Sequence, residues 1–118
     1  MYSRQVLDHF QNTRNVGELQ DANAYVSVGN PVCGDVMQLA IKAVDGRVAE
    51  AKFRASGCVC AIACGSQLTE MIREKPLAEV GKLQSQDLIE ALGGLPPASG
   101  HAAALALEAL SAALKQLL

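Results

Sequence analysis

The chain has 118 residues with ten basic and twelve acidic side chains, which gives a formal net charge of −2. This length predicts a single domain over residues 1–118, and the missing basic excess argues against binding to nucleic acids. The chain contains no run of about 18 apolar residues, so the sequence predicts no membrane span. Residues 1–5 lack the apolar stretch of a secretory signal, so we expect a cytoplasmic protein.

The first half of the chain predicts one helix followed by three strands. Residues 3–10 predict a short helix whose first residue, a serine, can cap it. Residues 24–28 have the pattern of a strand. Residues 35–44 and 47–56 alternate apolar and polar side chains, and Asp45-Gly46 between them is a strong hairpin signal. We therefore expect these two strands to pair as a β-hairpin.

The same patterns predict which side chains face the core. In the first helix, Val6, Leu7 and Phe10 are expected to share the buried face. In the strand over residues 47–56, the alternation places two sets of side chains on opposite faces. The first set comprises Ala49, Ala51, Phe53 and Ala55, and the second comprises Val48, Glu50, Lys52 and Arg54.

From residue 60 onward the apolar period becomes that of helices. Residues 61–74 predict an amphipathic helix that Pro76 ends, residues 85–92 a short helix capped by Ser85, and residues 102–118 a final helix. The apolar side of the helix over residues 61–74 comprises Cys60, Ala61, Cys64, Leu68, Met71 and Ile72, and the residues outside it are Ser66, Thr69, Glu70, Arg73 and Glu74. The apolar stripe of the final helix comprises Ala103, Leu107, Leu110, Leu114 and Leu117. Strands that precede helices favour an α+β fold.

The chemically unusual feature is a set of four cysteines, Cys33, Cys58, Cys60 and Cys64. In a chain of the reducing cytoplasm, a cysteine cluster indicates metal or sulfur chemistry rather than disulfides. Cys33 and Cys58 lie in glycine-flanked loops at the ends of predicted elements, where side chains from distant segments can converge. The spacing matches no zinc finger with paired cysteine knuckles, so it predicts a metal site without identifying the metal.

An aspartate and a histidine join the candidate ligands. Asp35 follows Cys33-Gly34 at the start of the second strand, and His101 follows the break at Leu95-Pro96-Pro97 where the last helix opens. On that helix His101 would project about 180° from the leucine stripe, so it is not expected to be a core residue. Thiolates and imidazoles are the ligands of zinc and of iron–sulfur clusters.

The helix predicted from residue 61 would place its positive end beside Cys58 and Cys60. That dipole is expected to lower the pKa of both thiols and to favour the thiolate needed for metal binding or sulfur transfer. Cys64 lies in the middle of the apolar side and is expected to be buried, and His9 is expected to lie at the surface or to pack. Every candidate also has a purely structural alternative, such as core packing for a cysteine or a turn position for the aspartate.

Four segments, which together span nearly the whole chain, carry a resemblance to a known family and follow one another in the same order as in that family. They are Tyr2-Ser3 with Val6 through Phe10 and Arg14-Asn15-Val16-Gly17; Asn30-Pro31-Val32-Cys33-Gly34-Asp35-Val36-Met37; Phe53 through Gly57-Cys58 with Ala61-Ile62-Ala63 and Ser66; and Leu95-Pro96-Pro97 with His101. These segments resemble those of the IscU/NifU-type iron–sulfur cluster assembly scaffolds.

The resemblance implies an IscU/SufE-like α+β fold, with a small three-stranded antiparallel sheet packed against several helices. It implies a scaffold rather than an enzyme, on which iron and sulfur from a cysteine desulfurase combine into a 2Fe–2S cluster that passes to acceptor proteins. By matched position, Cys33, Cys58 and His101 are ligands, and Asp35 completes the site. A carboxylate is a harder and poorer partner for a cluster than a thiolate, so Asp35 would favour release.

The chain departs from that family at one ligand and at one partner motif. Ala102 stands where the family has a third cysteine. We therefore expect Cys60, two residues from Cys58, to supply the replacement thiolate, with Cys64 as a reserve ligand. Residues 98–100 replace the Val-Lys-apolar run that the family's Hsp70-type chaperone uses, which argues against that partner.

Other functions use the same residues. A zinc-containing sulfur acceptor for a cysteine desulfurase would hold Zn²⁺ with four ligands, Cys33, Asp35, Cys58 and His101. A stable iron–sulfur protein would keep its cluster for electron transfer or sensing; the surplus of thiols favours it, and Asp35 argues against it. A Cys–His enzyme is the least favoured, because no acid–base group beyond His101 is visible.

Overall fold

The computed structural model describes residues 1–31 and 34–117 and contains one sheet, with two long helices packed on the sheet face that holds the core. The elements in chain order are α1 (Arg4–Gln11), β1 (Ala24–Gly29), β2 (Val36–Val44), β3 (Arg47–Ser56), α2 (Val59–Ile72), α3 (Leu77–Val80), α4 (Ser85–Ala91), a 3₁₀ turn (Pro97–Ser99) and α5 (Gly100–Leu117). Within the described residues, no helix is both long and apolar enough to cross a membrane.

The three strands form an antiparallel sheet in the order β1-β2-β3, which confirms the predicted α+β fold. The β2–β3 hairpin turns at Asp45 and Gly46, whose φ angles of 53° and 75° lie in the left-handed region that a tight two-residue turn requires. Val26, Leu39 and Phe53 are neighbours across the sheet and are all buried. This buried face of the sheet is covered by α2 and α5.

The predicted placement of Val48 on the face opposite Ala51 and Phe53 is wrong, because all three are buried. The β2–β3 register shifts between Lys42 and Ala43, where β3 carries Ala49 as an extra residue. A β-bulge of this kind moves the preceding side chains to the other face, so Val48 is fully buried and Ala49 is exposed. Simple alternation fails here because it assumes an uninterrupted ladder.

Helix α2 begins earlier and ends earlier than its sequence pattern predicts. Cys58 is its N-cap residue, with extended backbone and a side chain that accepts a hydrogen bond from the helix, and Val59 is its first helical residue. The helix ends at Ile72 because Arg73 is already extended (φ −62°, ψ 135°), well before Pro76. The early start places a predicted metal ligand, Cys58, at the N-terminus of the helix.

Part of the polar side that was predicted for α2 is buried. Ser66 and Thr69 are fully shielded from solvent. The imidazole of His9 on α1 lies with its Nδ1 2.7 Å from Ser66 Oγ, and the side-chain amide of Asn15 donates to Thr69 Oγ1 at 3.1 Å. The amphipathic interpretation of α2 fails at these two positions because helix α1 and the segment after it cover them, whereas Glu70 is exposed as predicted.

Helix α1 packs through a histidine rather than through the apolar face predicted for it. Ser3 caps the helix as expected, accepting a hydrogen bond from Val6 N–H at 3.0 Å. Val6 is fully buried, but Leu7 and Phe10 are 41% and 42% exposed, and His9 takes their place against α2. The contact between the two helices is therefore partly polar.

The last two helices also differ in detail from the prediction. The N-cap of α4 is Gln84 rather than Ser85, and its N–H donates to the Asp87 carboxylate at 2.8 Å. His101 lies inside α5, which begins at Gly100. The buried side of α5 is wider than predicted and comprises Ala102, Ala103, Leu105, Ala106, Ala109, Leu110 and Ala113. Ala103 and Leu110 of the predicted stripe are among them, and Leu107, Leu114 and Leu117 are partly buried against the core. The buried alanines let α5 lie close to the sheet and to α2.

We expect the stability of the protein to fall as the pH drops below about 7, with His9 causing part of the fall. Burial lowers the pKa of His9, and the Arg14 guanidinium lowers it further. The folded-state pKa of His9 therefore lies below its unfolded value of about 6.5, so the stabilisation is complete above that pH and is lost as the pH falls through the folded pKa. Urea unfolding from about pH 8 to pH 5 should show a shallower dependence for His9→Gln, which offers Ser66 an amide that does not titrate. An equally steep dependence in the variant would contradict the role of His9.

Candidate metal centre

A carboxylate at the entry to strand β2 forms the centre of the site. Asp35 directly precedes β2 and is only 3% exposed. Its carbonyl accepts a hydrogen bond from Asn30 N–H at 2.8 Å, and the Asn30 carbonyl accepts one from Gly34 N–H at 2.7 Å. These bonds close the loop before β2 and hold the aspartate at the end of the sheet. Cys33, the first predicted ligand, lies outside the described residues, and its role stays a prediction.

Cys58 meets this carboxylate from the start of helix α2. Its backbone N–H donates to Asp35 Oδ1 at 3.2 Å, and its thiol donates to Asp35 Oδ2 at 3.2 Å. Its sulfur also accepts a hydrogen bond from Ala61 N–H at 3.3 Å, as an N-cap side chain does. The three bonds fix the direction of the Cys58 side chain relative to Asp35.

His101 approaches the same carboxylate from the first turn of α5. Its Nε2 lies 3.3 Å from Asp35 Oδ2 and is itself buried, although about a third of the side chain (32%) is exposed. No well-aligned hydrogen bond satisfies this nitrogen within the described part of the chain. Ligand atoms of Asp35, Cys58 and His101 all lie within 4.8 Å of one another. The structure thus brings together three of the predicted ligands from three separate segments.

The sequence-based expectation of a lowered pKa at Cys58 is wrong. Burial raises the pKa of this thiol, and the hydrogen bond to the Asp35 carboxylate raises it further. The bond from Ala61 N–H at the helix terminus lowers the pKa, as the dipole argument requires, but the two opposing effects are larger. Cys58 is therefore held as a thiol that donates its hydrogen bond to the Asp35 carboxylate.

The other two described cysteines lie behind Cys58 in the core. Cys60 is 1% exposed and Cys64 is fully buried, and both belong to the main hydrophobic cluster. Burial raises the pKa of Cys64 to about 12, which agrees with its predicted packing role. Neither sulfur belongs to the three-residue ligand group among the described residues. Ala102, where the resembled family has a cysteine, is also fully buried, and the role of Cys60 as its replacement stays a prediction.

The donor set suits a thiophilic metal. One sulfur, one imidazole nitrogen and one carboxylate oxygen are within reach of a single ion, and such mixed sets bind zinc and iron rather than magnesium or calcium. The buried, unsatisfied Nε2 of His101 is the lone-pair donor that such a site needs. Cys58 and His101 are both partly exposed, so the site is open to solvent on one side. A metal ion could therefore reach these side chains from solvent.

Known proteins with related sequences match the whole chain. The family described as NifU-like N terminal domain matches residues 1–118. Iron-sulfur cluster assembly scaffold protein IscU 1 of Archaeoglobus fulgidus is 48% identical over 114 residues, which cover 97% of this chain and 74% of the relative. Iron-sulfur cluster assembly scaffold protein IscU of Aquifex aeolicus is 45% identical over 119 residues, which cover 99% of this chain and 76% of the relative.

A solved structure gives independent support for the fold. The putative iron-sulfur cluster assembly scaffold protein for the SUF system from Fervidobacterium islandicum superposes with a TM-score of 0.80, covering 96% of each chain. Its sequence identity to this chain is 20%, so this likeness concerns the fold alone.

Proposed function

The chain belongs to the NifU-like N-terminal domain family, and on this basis we propose that it is a scaffold on which an iron–sulfur cluster is assembled and from which it is transferred. The observation that carries the proposal is the convergence of Asp35, Cys58 and His101 within 4.8 Å at a site open to solvent. The chain supplies ligands and does not catalyse a reaction. A cysteine desulfurase supplies sulfur, and acceptor proteins take the finished cluster.

The proposed ligand set extends beyond the three residues that converge. It comprises Cys33, Asp35, Cys58, Cys60 and His101, with a 2Fe–2S cluster as the cargo and Cys64 in reserve. We place this role in the cytoplasm, where thiols stay reduced. The chaperone of the resembled family is not among the proposed partners, because residues 98–100 differ from its motif.

The resting contacts of Cys58 suggest how a metal ion is received. A thiol must lose its proton before it binds a metal, and the Cys58 thiol already donates to Asp35 Oδ2 at 3.2 Å. When the ion approaches the sulfur, this carboxylate is in position to accept the proton. A carboxylate also binds iron more weakly than a thiolate does, which favours transfer over permanent storage.

A zinc-containing sulfur acceptor is the second candidate, since the compact sulfur, nitrogen and oxygen set also suits one Zn²⁺ ion. Anaerobic reconstitution with iron, cysteine and a cysteine desulfurase separates the two. A scaffold becomes coloured, with sulfur-to-iron charge-transfer absorption, and then passes its cluster to an apo-ferredoxin. A colourless protein with one equivalent of zinc supports the second candidate, and a coloured protein that does not release its cluster indicates a storage or redox role.

The replacement ligand is tested by two single variants in the same reconstitution. If Cys60 supplies the missing thiolate, Cys60→Ala should lose most of its cluster, while Cys64→Ala keeps it and loses about 1 kcal/mol of stability through its small cavity. Iron and sulfide content per chain measures the first effect, and urea unfolding of the cluster-free protein measures the second. Full cluster in Cys60→Ala together with loss in Cys64→Ala would assign the ligand to Cys64 instead.

A further inference from the structure

The glycine before Cys58 lies unusually close to the aspartate of the metal centre. Gly57 has a φ of 128°, and an ideal Cβ built on it would overlap Asp35 Oδ1 and lie 2.7 Å from Asp35 Cγ and 3.1 Å from Asp35 Cα. Real Cβ atoms do not approach other heavy atoms this closely. The carboxylate of Asp35 therefore occupies the space that any side chain at position 57 would fill.

The position of that carboxylate determines the contacts that join Cys58 and His101 to Asp35. Oδ1 receives the N–H of Cys58, and Oδ2 receives the Cys58 thiol and faces His101 Nε2 at 3.3 Å. If the carboxylate moved away from the backbone at residue 57, both oxygens would leave these partners together. N–H···O hydrogen bonds span donor–acceptor distances of about 2.7–3.2 Å, and the bond from Cys58 N–H is already 3.2 Å long, so a small displacement is sufficient to break it.

We propose that Gly57 is a positioning residue for the metal centre: its missing side chain creates the slot in which Asp35 lies against Cys58 and His101. This inference rests on the proposed function, because it assigns the slot to a site that holds metal. Gly57 does not touch the metal itself. It acts through Asp35, in the manner of residues that orient a ligand, whose loss costs about 10–100-fold in metal affinity.

The left-handed backbone of Gly57 offers a competing explanation, in which glycine is needed for its φ angle alone. The chain contains a matched control, since Gly17 has a nearly identical φ of 132° and no heavy atom within 4 Å of an ideal Cβ. Gly17→Ala and Gly57→Ala therefore impose similar backbone strain. Only the variant at residue 57 also displaces Asp35.

The experiment measures Co²⁺ binding by absorption and the Cys58 amide by NMR in the metal-free protein. Gly57→Ala should weaken Co²⁺ binding about 10–100-fold, and Gly17→Ala less than about twofold. The Cys58 amide signal should shift upfield in Gly57→Ala, as in Asp35→Ala, because both remove its carboxylate acceptor. Wild-type Co²⁺ affinity and an unchanged Cys58 amide in Gly57→Ala would overturn the proposal.

A double variant tests whether Gly57 acts through Asp35. Gly57→Ala in the Asp35→Ala background should weaken Co²⁺ binding by less than about twofold more, because the displaced carboxylate is already absent. The double variant should also fold as well as Gly17→Ala, even if Gly57→Ala alone does not. If the losses of Co²⁺ affinity caused by the two single changes multiply in the double variant, or if the double variant fails to fold, the proposal is overturned. Failure of the wild-type protein to form or release a cluster would overturn the scaffold function and leave these metal-binding and NMR results standing.

Discussion

Replacing Cys58 with serine should lower Co²⁺ affinity by more than about 100-fold, beyond the loss expected for a residue that only orients a ligand. The hydroxyl is a hard, protonated donor at neutral pH, whereas the site needs a thiolate. Serine can still cap α2 by accepting the Ala61 N–H, so the free energy of unfolding should stay within about 0.5 kcal/mol of wild type. Thiolate-to-cobalt absorption and urea unfolding measure the two effects.

Two companion variants separate ligation from helix capping. Cys58→Ala should lose both metal ligation and helix capping. Its Co²⁺ affinity should be as low as that of the serine variant, and its free energy of unfolding should be about 1 kcal/mol lower than that of wild type. Cys64→Ala removes a fully buried thiol outside the ligand group, and its Co²⁺ affinity should match wild type. Near-normal metal affinity in Cys58→Ser would remove Cys58 from the centre.

Replacing Gly65 with alanine should destabilise the protein by about 1–3 kcal/mol, although alanine is the better helix former. Gly65 lies within α2, and an ideal Cβ on it would overlap Cδ2 and Cε2 of the Phe53 ring and lie 3.1 Å from its Cγ. Phe53 on β3 is 2% exposed and belongs to the hydrophobic core, so its ring is closely surrounded. The overpacking cost therefore exceeds the gain of about 1 kcal/mol in helix propensity. Urea or thermal unfolding measures the change.

The chain offers a control and a suppressor for this prediction. Gly81→Ala should be tolerated, because Gly81 has ordinary helical angles and the nearest atom to an ideal Cβ lies 3.5 Å away. Phe53→Leu should remove part of the penalty of Gly65→Ala, so the double variant should be more stable than the sum of the single changes implies. Strict additivity, or a stabilised Gly65→Ala, would contradict the close contact between α2 and β3.

The elements that short-range patterns encode were predicted well. The β2–β3 hairpin was predicted because Asp45-Gly46 accepts the left-handed angles of the turn and because its flanking strands alternate over many residues. The strand over 47–56 matches its predicted bounds, and Ser3 caps α1 as expected. These features depend on neighbouring residues only, so a linear sequence contains the information that they require.

Features that depend on the packing of distant segments were predicted poorly. Ser66 has the local pattern of a solvent-facing helix position, but α1 covers it and provides His9 as its partner. Val48 lies in a strand whose simple alternation is broken by a bulge at Ala49. The pKa of Cys58 follows its burial and its contact with Asp35 more than the helix terminus that the sequence predicts.

The four cysteines and the motifs around Asp35, Cys58 and His101 were sufficient, without coordinates, to indicate metal or sulfur chemistry and the family of the chain. Only the tertiary structure determined that these three side chains meet within 4.8 Å and that Cys60 and Cys64 lie in the core behind them. Ligand identity depends on side-chain chemistry, which the sequence states directly. Ligand geometry, proton affinity and access to solvent depend on which distant segments pack together, and that is decided by the folded chain as a whole.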